Sequence, residues 1–289
     1  MTQGASMWAA VIVLGLTALP AAAGAPVSLV AHRGASHDAP ENTIAAFRLA
    51  WRQGADAIEG DFHLTKDRRI VCIHDATTKR TAGRNLVVAK STLAELRQLD
   101  VGRWRGVKWA GERIATLEEV LAVVPKGKQI LVEVKCGPEI IPVLKDVLEA
   151  SSLTPPQTVV ISFNAKVIAQ AKKQMPKRKA FWLTGFRKDK TTGRWRPSLP
   201  KVISTLKEIR ADGLDCAAVP AVVDQPFMAE LQSRRLELHV WTVDDVKTAL
   251  YFRQLGARSI TTNRPGWLRE QMTKRLSPRK KPPKAESGS

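Results

Sequence analysis

Seven charged or imidazole side chains sit at the ends of short apolar runs in this 289-residue chain. Such a setting rarely accepts these groups unless they pair or bind something. His32 and Arg33 close the run Val27–His32, and Glu59 and Asp61 alternate in Ala57–Asp61. Glu133 and Lys135 alternate in Ile130–Lys135, and His74 ends Ile70–His74. Alternate residues of a strand point the same way, so each spaced pair presents both side chains to one face. Glu59, Asp61 and Glu133 offer three hard oxygen ligands, suited to one divalent cation, Ca²⁺ or Mg²⁺, and poorly suited to a soft metal. Arg33 and Lys135 can neutralise the non-bridging oxygens of a phosphate. His32 and His74 can work as an acid–base pair, one taking a proton from a nucleophile and the other protonating a leaving group. A divalent ion, two fixed cations and two imidazoles around one anion describe phosphodiester cleavage. A buried ion-pair network would explain any one of these residues, but not the confinement of the whole set to run ends.

Positions so far apart in the chain meet only if the fold gathers strand ends. Eight β-rich apolar runs alternate with helical patterns: Val27–His32, Ala57–Asp61, Ile130–Lys135, Val159–Ser162, Ala180–Thr184, Leu214–Ala217, Leu238–Thr242 and Ser259–Thr262. That alternation is the signature of a parallel βα repeat, and eight units make an α/β fold of the (β/α)₈ TIM-barrel type. Apolar residues at helical spacing, such as Ile44-Phe47-Ala50-Trp51 and Leu117-Val120-Leu121-Val124, lie between the runs. Pro40-Glu41-Asn42 suits a first helical turn. In such a barrel, polar residues at the C-terminal strand ends face one mouth. A ninth run, Ile70–His74, follows the second across Thr65-Lys66-Asp67-Arg68; an antiparallel hairpin there returns His74 opposite Asp61. Ala76–Ile114, rich in Gly, Trp and Arg, reads as a small irregular insertion after the second strand.

A composition of 44% hydrophobic and 25% charged residues supports one folded domain and excludes global disorder. Met7–Pro20 is apolar and uncharged, and Ala21-Ala22-Ala23 follows, so residues 1–23 are expected to be a signal peptide even though no Lys or Arg precedes Met7. The apolar run is short for a bilayer, so no stable transmembrane anchor is expected and the product should be secreted or periplasmic. The barrel would then occupy residues 24–272. The net charge of +19 is concentrated in two blocks. Ala165–Lys201 carries twelve Lys/Arg against one acid, and Thr273–Ser289 six against one. The second block reads as a basic disordered tail. No nucleic-acid motif accompanies the charge, which leaves an acidic polymer or lipid surface as the reasonable large partner. Cys72, Cys136 and Cys216 have no metal-type spacing, and an odd count leaves at least one free thiol. Cys72 and Cys216 are expected to be small buried hydrophobes.

The ordered set of motifs resembles the glycerophosphodiester phosphodiesterase family. It runs His32-Arg33-Gly34, Pro40-Glu41-Asn42-Thr43, Ala46-Phe47, Ile58-Glu59-Gly60-Asp61, Leu64-Thr65-Lys66-Asp67 and His74-Asp75. Glu133-Val134-Lys135, Ser162-Phe163, Trp241-Thr242-Val243 and Thr262-Asn263-Arg264-Pro265 complete it, so the likeness spans Val27 to Trp267. The resemblance implies His32 and His74 as the acid–base pair and Glu59, Asp61 and Glu133 as metal ligands. It implies Arg33 and Lys135 as the phosphate clamp. The substrate's own glycerol hydroxyl would attack phosphorus, giving a cyclic phosphate that water opens to glycerol 3-phosphate. The insertion would cover the glycerol side of the pocket. Phospholipid or a glycerol-phosphate cell-wall polymer could undergo the same chemistry, and a non-catalytic anion-binding barrel is the alternative from another class.

Two positions depart from the family pattern. Gly60 replaces a bulkier apolar residue and is expected to loosen packing beneath the ligands. Asn263 stands where an acid is common, with consequences for metal affinity or for the orientation of a histidine. Trp241 is expected to form an apolar wall beside the substrate. His37 reads as an exposed loop residue, His63 as structural and His239 as a satisfied core histidine.

Overall fold

The computed structural model describes residues 27–277, so the expected leader at 1–23 lies outside the described residues, as does the expected tail beyond Ser277. Among the described residues eleven strands form: β1 (Ser28–Ala31), β2 (Ala57–Leu64), β3 (Ile70–Cys72), β4 (Gln129–Val134), β5 (Thr158–Ser162), β6 (Ala180–Thr184), β7 (Arg187–Lys188), β8 (Trp195–Arg196), β9 (Gly213–Ala217), β10 (Glu237–Trp241) and β11 (Ser259–Thr262). β1, β2, β4, β5, β6, β9, β10 and β11 pair in parallel in that order, and β11 pairs back with β1 to close the barrel. All eight expected runs are its staves. Each is followed, directly or after an insertion, by a helix that packs on the outside.

The strands read as continuous apolar runs because both faces are covered. One set of alternate residues (Val30, Ala57, Leu131, Val159, Phe181 and Leu183 among them) fills the lumen. The other set (Ile58, Ile130, Val160, Leu214, Val240 and Ile260) meets the helix ring, including Phe47, Leu144 and Phe252. Residues in register across parallel strands share a face, so Glu59 beside Leu131 and Asp61 beside Glu133 both point inward.

β2 runs three residues past the expected end, to Leu64, and β3 folds back on it as the expected antiparallel arm. The register is one residue from the expected one. Phe62 pairs with Cys72, and Ile73 rather than His74 faces Asp61, with the Ile73 amide 2.9 Å from the Asp61 carbonyl. The insertion has two one-turn α-helices and three 3₁₀ turns over a small core of its own, built on Val71, Ile73, Val88, Leu96, Leu99, Val101 and Ile114.

Three further expectations need correction. Pro40-Glu41-Asn42 precedes the first helix rather than opening it. The helix is Ile44–Arg52, capped by the Thr43 hydroxyl, which accepts from the Ala46 amide at 3.2 Å. The last helix runs Pro265–Leu276, so the expected tail at 273–289 begins as helix. Gly60 leaves no slack beneath the acids. A Cβ there would already lie 3.1 Å from Phe47, 3.2 Å from Phe62 and 3.3 Å from Cys72, because those side chains close over it.

Gly34 is fixed more tightly. Its φ is +79°, and a Cβ would come within 2.6 Å of the Ala46 backbone. Gly34→Ala combines a left-handed penalty with an immovable contact, and is expected to cost about 2–5 kcal/mol in urea-induced unfolding. A loss under about 0.5 kcal/mol would show that the turn holds no such close approach.

Candidate active site

The turn after β1 sets the first part of the site. Arg33 and Asn42 both adopt left-handed backbone, at φ 54° and 58°, an uncommon state for non-glycine residues that functional sites often store. The turn aims the Arg33 amide at Glu59 Oε2, 2.9 Å away, while Arg33 Nε lies 3.1 Å from Asp61 Oδ2. Asn42 clamps Asp61 on both sides. Its Nδ2 donates to Asp61 Oδ2 at 2.8 Å, and its Oδ1 accepts from the Asp61 amide at 3.2 Å. Lys135, just beyond β4, lies 2.6 Å from Glu133 and 3.4 Å from Asp61.

Ligand oxygens of Glu59, Asp61 and Glu133 lie within 4.8 Å of one another, and all three residues are buried. Two of the oxygens are buried without a hydrogen bond: Glu59 Oε1, and Asp61 Oδ1, which has only the Lys135 ammonium at 3.4 Å. Unsatisfied carboxylate oxygens in a buried cluster are costly, and a hard cation would satisfy them. The three acids also outnumber Arg33 and Lys135 by one charge. A bound dication would leave one net positive charge, the complement of a phosphodiester monoanion. The donor set therefore fits a divalent metal. Its electrostatics are strained without one: burial, then Asp61 and Glu133, push the Glu59 carboxyl well up, and burial and Asp61 push Glu133 up. Asp61 is held below the usual range, since Arg33 and Lys135 outweigh the effect of its burial.

The imidazoles are set by their neighbours. His32 Nδ1 is 2.7 Å from Asn263 Oδ1. The Asn263 amide nitrogen donates to Asp244 at 2.6 Å, so the oxygen must face His32. An oxygen there requires the proton on Nδ1 and leaves Nε2 as an acceptor. Burial, then Arg33, lowers the His32 pKa, so the ring is neutral near pH 7. Asn263 thus takes the orienting role open to it. His74 lies two residues past β3, off the ladder, with Nδ1 2.7 Å from Asp75. His63 Nε2 lies 3.2 Å from the His74 carbonyl, so the histidine expected to be structural braces the backbone that carries His74.

A ladder of charges joins the two halves. Arg33 donates to Glu41 at 3.1 Å; Arg80, from the insertion, grips Glu41 with two bonds of 2.8 Å and Asp75 with one of 2.7 Å. Arg80, then burial opposing it and His74 assisting, holds the Asp75 carboxyl down at about 2. Glu41, Asn42, Asp75, Arg80 and Asp244 were not among the expected site residues.

Six of the seven expected charged and imidazole residues line one cavity of about 160 Å³; the seventh, Asp61, is fully buried and does not line it. His32, Arg33, Glu59, His74, Glu133 and Lys135 form its charged side. The rest of the wall is mainly apolar: Ile161, which neighbours Glu133 in register, Leu183, and Phe163 and Trp241, whose rings meet edge to face at 5.5 Å. Trp241 is therefore the expected wall. Asp215 lies in the same lining and was missed altogether. The remaining histidines stay outside: His37 is half-exposed beside Asp38, and His239 is buried, stacked on Phe181 at 4.1 Å and 2.7 Å from Ser259. Cys72 and Cys216 are buried and Cys136 is partly so; none lines the cavity.

The fold and site define a (β/α)₈ barrel with an acidic, imidazole-flanked pocket at its mouth. The model of the glycerophosphoryl diester phosphodiesterase family matches residues 32–267. Among relatives, the Bacillus subtilis protein YhdW is 33% identical over 251 residues, covering 83% of this chain and 96% of its own length. A glycerophosphodiester phosphodiesterase of Caldanaerobacter subterraneus is 40% identical over 152 residues, covering 51% of this chain and 63% of its own. Among solved structures, an Oleispira antarctica phosphodiesterase in complex with the product sn-glycerol-3-phosphate superposes with a TM-score of 0.76 at 26% identity, over 85% of this chain and 96% of that one. The chain belongs to the glycerophosphoryl diester phosphodiesterase family, and so to the phosphoric diester hydrolases.

Proposed function

We propose that this protein hydrolyses glycerophosphodiesters to glycerol 3-phosphate and an alcohol, by metal-dependent His/His catalysis through a cyclic phosphate. The observation that carries the reading is a cluster of three buried carboxylates, two of which share one cavity with two cations and two oriented imidazoles. Glu59, Asp61 and Glu133 would hold one Mg²⁺ or Ca²⁺, whose chemistry when bound is to polarise phosphate oxygens and acidify an attacking hydroxyl. Arg33 and Lys135 draw in and orient the phosphate. His32, neutral with Nε2 free, takes the proton of the substrate's glycerol hydroxyl as it attacks phosphorus. His74 gives a proton to the departing alcohol, its other nitrogen steadied by the ionised Asp75. The two exchange roles when water opens the ring, so no serine or cysteine nucleophile is needed.

Purified protein supplied with Mg²⁺ or Ca²⁺ should release glycerol 3-phosphate from glycerophosphocholine or a related diester, measured by an enzyme-coupled assay. Release from none of several head groups would reject the substrate class.

A polyanionic substrate is favoured by one observation. The basic block divides between the two ends of the barrel. Lys172 and Lys179 are paired with Asp212 and Glu237 away from the mouth, whereas the hairpin β7–β8 follows β6 on the mouth side. That hairpin exposes Arg187, Lys188, Lys190, Arg194 and Arg196 around a single acid, Asp189. Raising ionic strength from about 0.05 to about 0.3 M should then slow turnover of a glycerol-phosphate polymer or anionic vesicle several-fold and leave a small diester unaffected. Equal salt sensitivity for both would remove the polymer reading. Export to the periplasm or beyond remains part of this proposal; among the described residues no helix is long and apolar enough to cross a membrane.

A further inference from the structure

We propose that Asp215 contacts the substrate and recognises the free primary hydroxyl of its glycerol moiety, the one that neither carries phosphorus nor attacks it. The inference rests on the glycerophosphodiesterase reading above and names a residue that the mechanism does not use. Asp215 is the central residue of β9, in register with Leu183 of β6 and His239 of β10. Its side chain therefore faces the lumen, on the apolar side of the cavity and one step below Trp241, whose partner in register is Ala217. It is only 1% exposed, lines the cavity, and its Oδ1 has no hydrogen-bond partner.

An acid buried in an apolar wall with an unused oxygen is destabilising unless something arrives to satisfy it. The carboxyl is not part of the acidic triad, whose ligand oxygens form their own cluster. With Arg33 and Lys135 fixing the phosphate on the opposite side, the group reaching Asp215 belongs to the organic part of the ligand. Its chemistry selects a hydroxyl. Burial, and after it the Glu133 charge, push the Asp215 carboxyl up to about 8, so near neutrality it can both donate and accept. A hydroxyl answers both roles, whereas a quaternary ammonium offers no N–H to Oδ1. The Trp241 indole donates to the Asp215 carbonyl at 3.2 Å, which ties the apolar wall to the same strand position.

The test compares two small phosphates that differ by that hydroxyl alone: sn-glycerol 3-phosphate and propane-1,2-diol 1-phosphate. Their dissociation constants are measured by calorimetry on the full chain with Mg²⁺ supplied, for wild type, Asp215→Asn and Asp215→Leu. Wild type should prefer glycerol 3-phosphate by about 10-fold or more, the scale of one buried hydrogen bond to a group otherwise left unpaired. Asp215→Asn, which still donates and accepts, should keep most of that preference; Asp215→Leu should lose it, with the two constants within about 3-fold. A purely structural role would weaken both ligands equally. Preference retained in Asp215→Leu, absent in wild type, or unmeasurable because wild type binds neither phosphate, overturns the assignment. Wild-type turnover of glycerophosphocholine is read alongside. Turnover without a binding preference sinks only Asp215, and a preference without turnover sinks only the functional reading.

Discussion

Turnover of a glycerophosphodiester with an alkyl head group should fall about 10²–10⁴-fold in both His32→Ala and His74→Ala, the usual cost of losing a general base or acid. That is roughly 3–5 kcal/mol of barrier. Changing the leaving group separates the roles. With a p-nitrophenyl head group the departing oxygen needs no proton, so His74→Ala should recover to near wild-type rate while His32→Ala stays slow. Equal rescue of both, or of neither, would reject the assignment of base to His32 and acid to His74. Unchanged turnover in either variant on the alkyl substrate would remove that histidine from the mechanism, whereas a wild type that turns over neither substrate would favour a non-catalytic, anion-binding barrel. The pH profile follows from the same surroundings. Burial and Arg33 lower the His32 pKa, and a base is lost on protonation, so kcat/KM should hold down through the ordinary imidazole range near pH 6.5 and fall only below it.

Glu59→Gln should have opposite effects with and without metal. Glu59 is 2% exposed, and burial together with Asp61 and Glu133 raises its pKa well above the usual carboxylate value. An acid with a raised folded-state pKa keeps a proton that the unfolded chain releases, so the metal-free protein loses stability as pH rises past about 4.3. Removing that acid should raise the metal-free Tm at pH 7, on the order of 1–3 kcal/mol or a few degrees for a chain of this length. Metal should stabilise the wild type by about 2.7 kcal/mol at a hundredfold excess over Kd and leave Glu59→Gln unmoved. Scanning calorimetry with and without Mg²⁺ or Ca²⁺ reads both effects. A lower Tm for the variant under both conditions would mean that Glu59 is a structural ion-pair partner and holds no ion.

The eight staves, and the gathering of the seven expected residues in and beside one cavity, were legible in the sequence for one physical reason. A strand covered on both faces is written almost wholly in apolar residues, so Glu59, Asp61 and Glu133 stand out against that background. Asp215 carried the same signal, but singly, with no second charge two residues away, and its run reads as plain core. The charge ladder through Glu41, Arg80 and Asp75 was not legible. Arg80 reaches Glu41 across 39 positions only because the insertion folds over its own small core. Register was likewise hidden: β3 ends at Cys72, so the pleat does not set the direction of His74, and the one-residue difference cost nothing at the site. The β7–β8 hairpin gave no apolar alternation at all, since its strands are two residues each and mostly cationic.

Everything catalytic in this account requires a single divalent ion among Glu59, Asp61 and Glu133. The direct measurement is release of glycerol 3-phosphate from glycerophosphocholine by metal-stripped protein as Mg²⁺ or Ca²⁺ is titrated back, for wild type and Glu59→Gln in parallel. Wild type should start near zero and climb to a plateau as one equivalent binds, while the variant stays flat. Full release before any metal is added, or a variant that climbs with the wild type, would contradict it.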